Sequence, residues 1–289
     1  MNPTTIFNLQ QWIGQLDRLT RDNRCNSPGF LRPHHFVTLA LAMRRAGKQT
    51  VTIPPALERY ATRMHLWAAL GTKSPVEVGE YEPFGRFVPL VRLENKNTIS
   101  DTATQLAGIA KAYGADEETF GSLQISLMEI IGNCFAHNEL GEGLRGLACA
   151  QSWPQGDLAQ IAIADAGIGI RKSLSENPDL LAKLEAGNSC EIATEFGITS
   201  KPGKGHAGYG LALTRQLLAH AGGRLLVASG HEWFTTNGMN TAAGDLPVPW
   251  NGTIAVLEWS TRRPLRAGEV YKSWPLPEGF DDDDFDFEN

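Results

Sequence analysis

The chain has 289 residues, enough for one large domain or two ordinary ones with a real core. Its net charge of −6 is an end effect, because Asp281, Asp282, Asp283, Asp284, Asp286 and Glu288 alone supply six negative charges. The near-neutral remainder offers no basic footprint for nucleic acid and no polybasic membrane patch, and no apolar run approaches the roughly 20 residues that cross a bilayer.

Four cysteines, Cys25, Cys134, Cys149 and Cys190, are scattered without a CxxC pair or metal-ligand spacing. The first segment has charges where a signal peptide needs an unbroken apolar stretch. The expected location is the cytoplasm, with the thiols free and mostly buried.

In chain order, Ile6, Leu9, Trp12, Ile13, Leu16 and Leu19 recur at helical spacing, which predicts a helix over 5–20. A second helix is predicted over 36–45, with Arg44 and Arg45 suited to its C-terminal dipole. Residues 50–53 read as a short β-branched strand stopped by Pro54-Pro55, and 57–70 as a helix ending at Gly71. Phe87 to Val91 reads as an edge strand, because Pro89 lacks a ladder N–H. Residues 1–98 are therefore expected to form a small α/β domain.

Thr102 and Gln105 fit a capping box, opening a helix over 103–113. A long helix over 117–136 follows, then strands over 146–153 and 158–165, a helix over 211–221, and strands over 224–229 and 253–259. Antiparallel strands on one side and helices on the other predict an α+β fold, a two-layer α/β sandwich, for 99–265. Residues 266–289 are expected to be a tail with an acidic, disordered end.

Three constellations carry chemistry. Glu129, Asn133 and His137 recur every fourth residue and share one helix face. Such a row reads either as a solvated face or as the wall of a polar cavity; in the second case the Asn133 oxygen suits Mg²⁺ and Glu129 can take a proton. In IAIADAGIGI an apolar strand delivers Asp165 into a loop holding Gly167 and Gly169. Glycines permit close backbone approach to a ligand, and the carboxylate can accept from an exocyclic amine. In GITSKPGKGHAGYGLALTR, Gly203, Gly205, Gly208 and Gly210 run into a helix N-terminus at Leu211. Free N–H groups and the helix dipole there suit phosphate, with Lys201 and Lys204 as added cations. The pattern is not a Walker A loop.

In this order and spacing the three motifs resemble the GHKL superfamily of ATP-binding domains, whose members share the Bergerat fold. ExxxNxxxH resembles its N box, DxGxGI its G1 box and TSKPGKGHAGYGLAL its lid end and G2 box. The likeness covers about 140 residues and includes Gly252-Thr253 at the last strand. It implies ATP and Mg²⁺ as ligands, with Asp165 reading the adenine amino group beside Thr253. It also implies Asn133 on the metal, Glu129 as base or water-positioning group, and Gly167 and Gly169 shaping the nucleotide floor. Gly205, Gly208, Gly210 and the Leu211 N–H would cradle phosphates, with Thr199, Ser200 and Lys201 approaching them. Residues 171–207 would be a mobile lid, and His137 would touch phosphate or lid or make a structural hydrogen bond.

No long two-helix hairpin carries a phosphoacceptor histidine, so an ordinary sensor kinase is not indicated. An ATPase or a serine/threonine kinase like the anti-sigma switch kinases fits the ExxxN box; a nucleotide-dependent interaction or dimerisation module with little turnover is the alternative. LRPHHFVTLALAMRRAGKQTVTIPPALERYATRMHLWAALG loosely resembles a STAS-like domain through Tyr60, Arg63 and Met64. A protein partner and a homodimer are expected. Phe280, Phe285 and Phe287 among the carboxylates suit either a docking segment or a solubilising end.

Overall fold

The computed structural model describes residues 2–25, 28–79, 85–136, 143–202 and 208–275. His137, Gly203, Lys204, Gly205 and the acidic end lie outside them.

Five strands form one antiparallel sheet in the order β1-β2-β3-β5-β4. They are β1 (Phe87–Leu93), β2 (Gly146–Trp153), β3 (Leu158–Asp165), β4 (Arg224–Asn237) and β5 (Asn240–Trp259). β1 is an edge strand as Pro89 requires, and its register with β2 shifts between Val88 and Val91. β3 is buried at every position before Asp165, so both of its faces are covered.

One face packs against α5 (Ile99–Lys111), α6 (Glu117–Ala136) and α10 (Gly210–His220). Asp116 opens α6 by accepting from the Thr119 N–H at 2.9 Å. Ser126 on α6 bonds Thr214 on α10 at 2.6 Å in the buried seam between them. This half matches the expected α+β sandwich. Its α5 starts earlier than predicted: Thr102 sits inside the helix rather than at its cap, and the helix is led in by a tight turn over Lys96–Thr98.

The other face is covered by α1 (Ile6–Asp22), α2 (Pro33–Arg45), α3 (Pro55–Arg63) and α4 (Leu66–Leu70). α2 buries residues around nearly its whole circumference, the mark of an interior helix. The strands meet it with small or slim side chains, among them Cys149, Ala162 and Ala164. Residues 1–98, expected as a small α/β domain, supply β1 and a third layer of this one sheet. The strand expected at 50–53 is a single bridge from Arg24 to Thr52. His65, at φ 58°, breaks the expected 57–70 helix into α3 and α4.

The predicted strands over 224–229 and 253–259 are the inner halves of a long hairpin that projects past the sheet. The first half of the expected lid is also helical. It folds into α7 (Ile170–Leu174), α8 (Leu181–Ala186) and α9 (Ser189–Ile192), with Leu174, Leu184, Cys190 and Ile192 in the core. Glu232 on β4 accepts from Arg171 at 2.9 and 2.6 Å and from the Ser189 N–H at 3.0 Å, pinning this insert to the hairpin. The expected mobile stretch 171–207 is thus helical and anchored through Ile192. After β5 the chain returns across α6 and α10 as α11 (Ala267–Lys272), followed by Trp274.

All four cysteines are buried: Cys134 and Cys190 on the α6 and α10 side, Cys25 and Cys149 on the α2 side. No helix of the described residues is long and apolar enough to cross a membrane.

Candidate functional site

A cavity opens between α6, the end of β3, the loop into α7 and the start of α10. Its lining includes Glu129, Asn133, Asp165, Gly167, Gly169, Thr199, Ser200, Gly208, Gly210, Leu211 and Thr253. Eleven of the residues singled out by sequence therefore meet at one place. Lys201 does not line it, and Gly205 lies outside the described residues.

Asp165 ends β3 at the cavity. Its Oδ1 accepts from the Gly167 N–H at 2.7 Å and the Thr253 N–H at 3.2 Å. Burial pushes the Asp165 carboxyl up from the ordinary carboxylate range, while those contacts, the Thr253 hydroxyl and the Arg45 charge work against it. Gly252 is required here: a Cβ would lie 2.3 Å from the Asp165 carbonyl oxygen, and its φ is +95°. Ser229, in β4, ties the loop to β5 by donating to the Gly252 carbonyl at 2.7 Å and accepting from the Ile170 N–H at 2.8 Å.

Arg45, the last residue of α2, donates to the backbone carbonyls of Asn251 and Asp165, the latter at 3.3 Å, and lies 5.0 Å over the Trp250 ring. Arg45 and Ser229 were not identified as site residues by sequence reasoning. A helix-end arginine and a strand serine carry no local signal of what they will touch; Gly252 was visible only as part of the Gly252-Thr253 pair.

Opposite Asp165, α6 and α10 approach closely at Gly210, where a Cβ would stand 2.6 Å from the Glu129 Cβ. The Thr214 hydroxyl donates to the Gly210 carbonyl at 2.8 Å and holds that turn. Among the described residues no side chain caps the start of α10, and none of them offers its first N–H groups an acceptor. Glu129 and Asn133 bond no other described residue by hydrogen bond, and Cys134, next along α6, has its thiol pushed up by burial and by the Asp165 charge. The cavity thus runs along α6 from the α10 N-terminus to Asp165. The Ser200 hydroxyl, on the lining, is buried without a partner.

Lys201 instead donates to the Ala136 carbonyl at 2.8 Å and caps the end of α6. Thr199 accepts from the Lys201 N–H at 3.2 Å, and its carbonyl accepts from Asn177 at 3.0 Å. Tyr209, just before α10, stacks on Phe196 at 4.7 Å and meets Trp274 at 5.3 Å, joining the loop to the returning C-terminal segment.

No protein-family model matches this chain. No curated protein matches it. Among solved structures, the histidine kinase domain from the Erythrobacter litoralis EL346 blue-light activated histidine kinase matches over 86% of this chain and 96% of its own, at 14% identity and a TM-score of 0.28. A superposition that loose assigns neither fold nor activity.

Proposed function

We propose that this cavity is an ATP-Mg site of the Bergerat kind, and that the chain hydrolyses ATP or passes its γ-phosphate to a protein. The observation behind the reading is the cavity's polarity of ends: a buried carboxylate, Asp165, faces an uncapped helix N-terminus across one wall of α6. A base with an exocyclic amine suits the first end and an oligophosphate the second.

The residues present fit the metal as well as the nucleotide. Asn133 offers a neutral oxygen to the metal, and the orphaned Ser200 hydroxyl a further oxygen or a donor to phosphate. The tight Gly210 turn leaves backbone rather than side chain at the phosphate end. Mg²⁺ held there would neutralise charge on the phosphate oxygens.

Asp165, fixed through Gly167 and Thr253, accepts from the adenine amino group. The N–H groups of Gly210 and Leu211 hold phosphate oxygens, where the α10 dipole favours negative charge. Glu129 takes the proton of a water or a protein hydroxyl as that oxygen bonds the γ-phosphorus; the bond to the bridging oxygen breaks and ADP leaves. Lys201 can join only by leaving the Ala136 carbonyl.

That engagement of Lys201 favours a second reading, a switch with little turnover, in which nucleotide releases Lys201 from α6 and repositions Tyr209 against Phe196 and Trp274. Dimerisation or docking of a partner on the C-terminal segment would be its output. Glu129→Gln separates the two. We expect titration calorimetry to show ATP-Mg affinity within about threefold of wild type, with ADP release down at least about a hundredfold. If wild type neither releases ADP nor labels a protein from γ-labelled ATP, yet binds ATP-Mg, the switch reading stands.

A further inference from the structure

A second cavity, of about 260 Å³, lies on the other side of the sheet, where α1 meets the start of α2. Trp12, His34 and His35 form its buried floor, Gln11 and Phe30 its exposed rim, and Arg32 is its one cation among the described lining residues.

The hydrogen bonds fix both imidazole tautomers. The Gln160 amide N–H₂ donates to Thr4 at 3.0 Å and Glu258 at 2.5 Å, so Gln160 Oε1 is the acceptor that meets His34 Nδ1 at 3.0 Å. His34 therefore carries its proton on Nδ1, and its Nε2 lone pair is buried with no partner, on a residue 1% exposed. His35 Nδ1 accepts from the Arg32 backbone N–H at 2.9 Å, so its proton sits on Nε2, where no described residue accepts it. The rings lie 3.9 Å apart. Burial holds the His34 pKa down at about 4 and that of His35 well below 6.5, so both are neutral at pH 7.

Arg32 donates weakly to Thr4 at 3.3 Å and stands 3.9 Å from Glu258, which leaves most of its five N–H groups available. The Trp12 N–H is spent on Thr38 at 2.7 Å, so Trp12 offers ring surface only. The cavity thus presents a guanidinium, one imidazole donor and aromatic walls, with the unpartnered His34 Nε2 buried at its floor. With a single cation close to a carboxylate, it does not suit a phosphate dianion.

We propose that this cavity binds a small planar carboxylate that also carries a hydrogen-bond donor, of the aromatic hydroxycarboxylate type. The carboxylate accepts from Arg32 and His35 Nε2–H, the hydroxyl donates to His34 Nε2, and the ring lies against Trp12 and Phe30. The site is independent of the nucleotide cavity, although α2 joins them: Arg45 at its far end donates to the Asp165 carbonyl at 3.3 Å.

Salicylate is the probe, with benzoate lacking the donor and salicylamide lacking the charge. Histidine-selective NMR of the full chain, with His34→Gln and His35→Gln assigning the signals, reads the site directly. Salicylate should move both signals and saturate with Kd below about 1 mM. Benzoate and salicylamide should bind at least about fivefold more weakly. Arg32→Gln should lose about tenfold, and Phe30→Ala, on the exposed rim, should weaken binding with the fold intact. Asp165→Asn should leave it unchanged. The proposal is overturned if neither signal moves at about 10 mM salicylate, or if Phe30→Ala and Arg32→Gln both bind as wild type does.

Discussion

The two faces of the sheet place their polar groups differently. On the α2 face, Glu258 is 2% exposed and still satisfied: the Thr4 N–H donates to it at 2.8 Å, the Thr4 hydroxyl at 2.7 Å and Gln160 at 2.5 Å. That network spans chain positions 4 to 258 and fastens the N-terminus to β5. On the α6 face, Glu129 and Asn133 make no such bonds to described residues, and the Ser200 hydroxyl is orphaned. Polar groups bonded to one another hold a structure together; polar groups left open around a cavity await a ligand. Among the described residues the α2 face has its own orphans, Asn23 Oδ1, His34 Nε2 and Trp250 Nε1, and of these His34 alone lines the second cavity.

The comparison is broken most directly by removing one layer. Deleting residues 1–85 strips α1 to α4 and bares Leu147, Ala162, Leu226, Ile254 and Val256 to water. The expected outcome is loss of soluble, cooperatively folded protein, read by soluble yield and circular dichroism. A soluble, cooperatively melting remainder would show the α2 layer to be an accessory.

Acid sharpens it next. His34 is depressed from 6.5 to about 4 in the fold, so its contribution is fully present above pH 6.5 and is lost as pH falls towards 4. A shift of that size corresponds to about 3 kcal/mol, and His35, lowered beside it, adds in the same direction. Arg32, Gln160 and Glu258 face the pair and hold it in place. Melting temperature should drop steeply across that window, and His34→Gln should flatten the drop; an unchanged slope would remove His34 from the account.

On the other face, Asp165→Asn keeps the shape but trades a charged acceptor for a neutral one. ATP affinity by calorimetry should fall by about ten- to a hundredfold, with the melting temperature little changed. Unchanged affinity would mean that the nucleotide reading has the wrong end for the base.

Arg45→Met tests a contact that runs from α2 to the rim of the nucleotide cavity. It keeps apolar cover over Trp250 but removes the donors to the Asn251 and Asp165 carbonyls. A loss of about threefold to tenfold in ATP affinity is expected; no change would make the two faces independent.

The α6 face was the more legible one in sequence. The 117–136 helix and the strands over 146–153 and 158–165 announce themselves by period, acidic start and turn residues, and the structure has them at those bounds. The glycines of the three motifs marked where backbone must come close, at Gly210 above all. The α2 face was misread because its sheet is not its own. FVTLALAM is apolar all round, the sign of a helix covered on every side, yet local pattern cannot say by what. Thr50 to Ile53 has strand propensity but finds no second strand beyond one bridge. The outer hairpin escaped because residues 230–252 mix glycine, proline and asparagine with exposed positions, so no alternation survives. The resemblance implied a mobile lid over 171–207, whereas Leu174, Leu184, Cys190 and Ile192 anchor its first half in the core.

The four buried thiols fall two to each face, Cys134 and Cys190 on one and Cys25 and Cys149 on the other. Burial pushes those of Cys134, Cys149 and Cys190 up, so in the closed molecule they are unreactive toward alkylating reagents. Reaction then waits on opening, and each position times a different event: Cys134 the cavity wall, Cys190 the anchored insert, Cys149 parting of α2 from the sheet, Cys25 loosening of the outermost helices. The chain carries its own set of clocks, and a ligand bound on one side would slow the pair on that side first.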